Sequence, residues 1–179
     1  DPCCRWIWID GSAEAVNQYV CFRRDFKLDR KPARARIQIS VDSDYQLFVN
    51  GHEIYGRQFS DYPRYRSYDT YEVGGRLRRG GNTIAVLAYY RGANFSEYRK
   101  GQPGLILQLD AGERYLLSDG HWQCRLSPSY VSGEVPRVTQ QMGFTVEQDG
   151  RHEDDWTNPG YRAGREWRAA AERAGPTDG

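Results

Sequence analysis

The sequence predicts an all-β protein, an antiparallel β-sandwich, on three observations. The stretch RARIQISV (34–41) alternates: Ala35, Ile37, Ile39 and Val41 share one face, while Arg34, Arg36, Gln38 and Ser40 share the other. That two-residue period belongs to a strand with one dry face and one wet face. Asn50-Gly51 stands between the strand-like runs YQLFV (45–49) and HEIY (52–55), and a two-residue hairpin turn needs positive φ at both central positions. Further short runs recur at regular spacing with turn residues between them, as in a sandwich. The composition agrees, since 13 Tyr, 19 Gly and a single Met suit strands and tight turns better than a helical bundle.

Taken in order, YVCFRRDFKL (19–28) reads as the first long strand, followed by 34–41 and the Asp42-Ser43-Asp44 turn. After the Asn-Gly hairpin comes SDYPRYRSYDTY (60–71), with a tyrosine at every third position from Tyr62 to Tyr71. Its second half belongs to the strand SYDTYEV (67–73), where Tyr68 and Tyr71 are expected to pack within the sheet. Its first half, broken by Pro63, is a loop able to present Tyr62 and Tyr65 to a ligand. The glycine-rich 74–82 is a tight turn: it lacks the Lys-Ser/Thr ending of a phosphate loop. NTIAVLAYY (82–90), apolar on both faces, predicts a central strand covered on both sides. A polar loop (91–103), GLILQL (104–109), RYLL (114–117) and a short strand near Trp122 complete the pattern. REWRAAAERAG (165–175) is the one strong helix former. The expected organisation is therefore a β-sandwich module with an N-terminal arm over 1–148, then a helical or irregular tail over 149–179. The opening Asp, where Met would start a gene product, predicts a processed or excised piece.

Several function classes drop out. Net charge is +1, whereas a nucleic-acid binder concentrates positive charge, so no nucleic-acid partner is expected. The longest apolar run is too short for a bilayer, and no membrane partner is expected. The compartment stays open between cytoplasm and secretion. Cys3, Cys4, Cys21 and Cys124 form no CxxC pair and match no zinc spacing. They read as packing cysteines, with a bond from the N-terminal arm to Cys124 as the alternative. There is no GxSxG elbow or HExxH helix, and HEDD (152–155) reads as a solvated loop. Asn94-Phe95-Ser96 matches a glycosylation acceptor.

Strand parity then locates a site. Consecutive antiparallel strands reverse direction, so alternate loops share an end. This gathers Asp42, Asp44, Asp61, Tyr62, Arg64, Tyr65, Arg91, Asn94, Tyr98, Asp119 and His121 at one rim. Aromatic rings there offer flat faces to sugar C–H groups, and Asp, Asn and Arg pair with hydroxyls. The candidate carbohydrate-binding residues are Asp61, Tyr62, Arg64, Tyr65, Arg91, Asn94 and His121. Asp42, Asp44 and Asp119 are candidate calcium ligands, against the alternative of solvated turn aspartates.

WIW (6–8), YVCFRRDFKL, ISVDSDYQLFVNGHEI (39–54), YDTYEV (68–73), GGNTIAVLAYYRG (80–92), GLILQL and SDGHWQC (118–124), in that order, resemble the N-terminal β-sandwich module of bacterial alpha-L-rhamnosidases and related glycoside hydrolases. The tail segments GFTVEQDGRHEDDW (143–156) and REWRAA (165–170) look like the link from that module to the rest of such an enzyme. The resemblance implies a galactose-binding-like jelly roll without catalytic residues of its own. It implies a carbohydrate ligand, calcium as a possible ligand-site ion, and a downstream catalytic α/α barrel in the same protein as partner. The alternative role is a structural brace that packs against that barrel and binds no sugar.

Overall fold

In the computed structural model, residues 4–11, 15–54, 58, 65–139 and 141–173 are described. They form two six-stranded antiparallel sheets facing each other across a single core, plus a two-stranded hairpin. The first sheet runs β14 (Ala171–Arg173), β1 (Trp6–Trp8), β8 (Gly104–Asp110), β3 (Arg36–Asp42) and β6 (Asp69–Glu72), with β9 (Tyr115–Leu117) also pairing β8. The second runs β13 (Arg168–Ala169), β10 (Gln123–Leu126), β2 (Gln18–Leu28), β7 (Gly80–Tyr90), β4 (Asp44–Val49) and β5 (His52–Ile54). The separate hairpin is β11 (Arg137–Thr139) with β12 (Gly143–Phe144).

Alternation decides which side chains meet in the core. Ile37, Ile39 and Val41 of β3, with Leu105, Leu107 and Leu109 of β8, point inward from the first sheet. Val20, Phe22 and Phe26 of β2 and Ile84, Val86 and Ala88 of β7 answer from the second. Trp8 and Trp122 close the middle; each indole N–H is satisfied, by Gln18 Oε1 at 2.7 Å and the Leu117 carbonyl at 2.9 Å. As its two-sided apolar pattern predicts, β7 is central and covered on both faces.

The Asn50-Gly51 turn forms as expected, with φ of 53° and 78°. The Asn50 side chain fixes it by accepting from Thr83 N at 2.8 Å and donating to the Arg76 carbonyl at 2.8 Å.

Two expectations are corrected. The tail 165–175 does not form a helix over 168–173. β13 pairs β10 and β14 pairs β1, so this segment crosses between the sheets at the buried Ala170 and supplies an edge strand to each. Helix propensity is a weak prior, and here two open sheet edges offered the backbone partners that an isolated helix would have to make alone. The second correction concerns cysteine. Cys21 and Cys124 are buried free thiols, so the N-terminal arm is not bonded to Cys124. Cys3 and Tyr55 lie outside the described residues.

The outer face of the second sheet is roofed by the chain after β10. Tyr19, Cys21, Leu87 and Trp167 form a second apolar cluster with Tyr89, Tyr130, Trp156 and Tyr161 packed on it. Arg125 is threaded through the roof: it binds Asp154 at 2.6 Å and lies 4.6 Å from the Trp167 ring. The HEDD segment is exposed, as expected, apart from this anchor at Asp154. No helix of the described residues is long and apolar enough to cross a membrane.

Candidate functional site

One end of the sandwich is built where β3 turns into β4, where β7 ends and where β8 begins. The register fixes this, because Asp42 lies opposite Gly104 and Asp44 opposite Tyr89. Asp42 is fully buried there, and its carboxylate accepts from Tyr98 Oη at 2.6 Å and Ser43 Oγ at 3.0 Å. Arg66, arriving from the loop before β6, makes an ion pair with the other carboxylate oxygen. Burial first, then the adjacent Asp42 charge, push the Tyr98 hydroxyl up from its ordinary range, so it remains a donor at neutral pH.

Around this hub the 91–103 loop is stapled down. Tyr90 Oη donates to the Gly101 carbonyl at 2.7 Å, and Asn94 Oδ1 accepts from Lys100 N at 2.8 Å. Arg91 N donates to Ser43 Oγ at 3.1 Å, while its guanidinium lies 5.5 Å from the centre of the Tyr98 ring. The buried Gln58 side chain bonds both N–H and C=O of Val41, standing in for a neighbouring strand where β6 has not yet begun. Around this hub Asn94 is exposed, Arg91 is half-buried, and Tyr65, the residue before Arg66, is 78% exposed.

The structure thus brings Asp42, Asp44, Arg91, Asn94 and Tyr98 to one end, with Tyr65 next to the Arg66 that reaches Asp42. Asp61, Tyr62 and Arg64 lie outside the described residues. His121 and Asp119 are not at this rim. The His121 carbonyl accepts from Arg24, and Gln123 pairs Arg23 midway along β2, so their turn sits on the flank. Parity fails there for a physical reason: β9 stops after three residues, level with Gln108, and the chain crosses to the second sheet at mid-height.

Of the calcium candidates, Asp119 is separated from Asp42 and Asp44 in the same way. Asp119 caps its own turn at His121 N (2.9 Å), Asp44 accepts from Tyr45 N (2.8 Å), and Asp42 is occupied by three protein donors. Among the described residues no group of three or more His, Cys, Asp or Glu side chains could hold a metal ion.

Of the two strand tyrosines, Tyr71 packs against the core as expected, its hydroxyl 2.8 Å from that of Tyr45. Tyr68 does not: it precedes β6 and is 63% exposed, beside Gln38 and Ser40 on the outer face of the first sheet. Sequence reasoning missed the roles of Ser43, Arg66 and Gln58. Arg66 stood in the quoted tyrosine stretch, but nothing local pairs it with a residue 24 positions earlier.

Comparison with known proteins places this geometry. A family model described as the alpha-L-rhamnosidase N-terminal domain matches residues 30–178. An alpha-L-rhamnosidase of Streptomyces avermitilis is 28% identical over 170 residues, covering 87% of this chain and 16% of its own length. A GH78 family rhamnosidase of Bacillus sp. GL1 superposes with a TM-score of 0.83 at 33% identity, covering 96% of this chain and 18% of that one. A lectin from Pleurotus ostreatus, solved in complex with GalNAc, shares the fold alone, with a TM-score of 0.58 at 18% identity over 96% of this chain and 42% of the lectin. The chain therefore spans less than a fifth of the length of each of these two rhamnosidases. With every strand from β3 onward and the crossing tail inside the matched region, the chain belongs to the family of alpha-L-rhamnosidase N-terminal domains.

Proposed function

We propose that this chain is a non-catalytic glycan-recognition domain of an alpha-L-rhamnosidase, working beside a catalytic domain elsewhere in the same protein. The observation that carries the reading is the end of the sandwich just described. A buried, fully paired aspartate ties the 91–103 loop to the residues just before β6, and these two segments carry the exposed Tyr65 and Asn94 and the half-buried Arg91. Preorganised loops on a stiff frame lower the entropy cost of binding a polar ligand. A flat ring beside paired donors suits a sugar, which shows an apolar C–H face and a hydroxyl edge. Membership in the family of alpha-L-rhamnosidase N-terminal domains supports rhamnose-containing glycans as the first ligand class to test.

Calorimetric titration against a panel of rhamnosides and other neutral sugars, with and without calcium, tests it. Tyr65→Ala and Arg91→Ala are each expected to weaken binding by about 1 kcal/mol, roughly fivefold. Heat absent across the whole panel in both conditions would refute the reading.

A second reading, the brace, is favoured by one specific observation. Val138, Met142 and Val146 on and beside the β11–β12 hairpin are 58%, 71% and 66% exposed. Such a run of apolar side chains on one arm is what a docking contact to a neighbouring domain would use. The discriminating variant is Met142→Asp with Val146→Asp in the full-length enzyme. Under the brace reading it lowers the stability of the whole enzyme, and the domain binds no sugar with or without the substitutions.

A further inference from the structure

The opposite end of the sandwich carries a second, chemically different feature. The β2–β3 connection and the β8–β9 turn enclose a groove of about 710 Å³. Five basic residues line it, Lys27, Arg30, Lys31, Arg34 and Arg114, against two acids, Asp29 and Glu113. The groove thus holds a surplus of three positive charges (five minus two) in a chain whose net charge is +1, leaving the remainder at −2 (+1 minus +3). Arg30 is ion-paired with Glu113, both largely exposed. Among the described residues Lys27, Lys31, Arg34 and Arg114 have no acidic partner within ion-pair distance. Arg78 and Arg79 extend the positive edge, since they precede Gly80, which pairs Leu28 at the end of β2.

Like charges held around one concavity repel, and an anion entering it relieves that repulsion while gaining attraction from several sides. One small anion would neutralise one of the four unpaired cations. A ligand carrying several carboxylates in a row meets them together, and guanidinium groups match carboxylates in a bidentate fork. A long phosphate polyanion such as duplex DNA would run beyond the groove onto a remainder that is net acidic. We propose that this groove binds the uronic-acid stretch of an acidic polysaccharide, separately from the neutral-sugar rim at the other end. The inference rests on the glycan-recognition reading for its ligand class, and deepens it: one domain grips both a neutral and a charged part of a glycan.

The test is titration of the 179-residue chain with oligogalacturonate, with its methyl ester, and with a DNA duplex, at low and at raised salt. The expected result is binding of oligogalacturonate that weakens with salt and is lost with the methyl ester. Lys31→Glu with Arg34→Glu should weaken it by roughly tenfold or more, Arg114→Gln by a few-fold, while Tyr65→Ala leaves it unchanged. All these positions are exposed, so the variants should keep the wild-type unfolding midpoint.

No binding of oligogalacturonate, binding indifferent to the groove variants, or equal binding of DNA would each overturn the proposal. Neutral-sugar binding that persists in such a case would show that the rim reading stands without it.

Discussion

Asp42 is a carboxylate removed from water and held by a guanidinium and two hydroxyls. Its role follows from that arrangement: it ties the β3–β4 turn, the 91–103 loop and the approach to β6 into one piece. A buried charge pair contributes little net stability compared with a well-packed apolar pair, but breaking one side is costly because the other charge remains buried. The Arg66 side chain is only 11% exposed and has no easy escape. Asp42→Ala is therefore expected to destabilise the domain by about 3–5 kcal/mol, measured by urea unfolding. Adding Arg66→Ala should recover part of that loss, giving a coupling well above zero in a double-mutant cycle. A nearly neutral Asp42→Ala would show that the hub is not a structural centre. The sequence placed Asp42 at the correct end but as a metal ligand. It carries no local sign that Tyr98 and Arg66, 56 and 24 positions further on, fill its lone pairs together with the adjacent Ser43.

At the scale of elements, what could be read was local and what could not was an edge. β3, β7, β8 and the Asn-Gly hairpin each announce themselves within a few residues, because side-chain alternation and positive-φ turn chemistry are properties of the segment itself. β13 and β14 do not, since their conformation is set by β10 and β1, about 45 and 165 positions away. The rim was legible to the extent that strand parity holds. It failed at the short β9, where the chain changes sheets early and carries Asp119 and His121 off to the flank. The crossing tail also has an energetic signature. Trp167 is 7% exposed at the head of β13, packs 6.0 Å from Trp156, and receives Arg125 on its face. Trp167→Ala should cost about 3–5 kcal/mol in urea unfolding. It should also loosen the 168–173 edge strands, seen as faster amide exchange in β1 and β10. If those strands keep wild-type protection, the tail is held by its backbone pairing alone.

For the molecule as a whole, the buried acids that matter at high pH all shift in one direction. Burial pushes the Cys21 thiol up to about 12 and the Cys124 thiol to about 11, from an ordinary value of 9.0. Burial likewise raises the hydroxyls of Tyr19, Tyr45 and Tyr98, helped at Tyr45 by donation to Asp69 and at Tyr98 by the Asp42 charge. In each case the folded state holds its proton longer than the unfolded chain does. Above pH 9.0 for thiols and 10.0 for tyrosines the unfolded state releases protons first, so every step upward favours unfolding. The stability these groups protect is complete below about pH 9 and is lost progressively toward about pH 12. The urea midpoint should consequently fall between about pH 8 and about pH 10.5. Cys21→Ala with Cys124→Ala should remove the earliest part of the fall, because the thiols are the first of these groups to ionise in the unfolded chain. Tyr98→Phe should leave that early part intact and soften the later one, where unfolded tyrosine begins to ionise. A midpoint that stays level over this range would mean that these side chains reach water in the folded state, and that neither the sandwich core nor the Asp42 hub is as closed as its contacts describe.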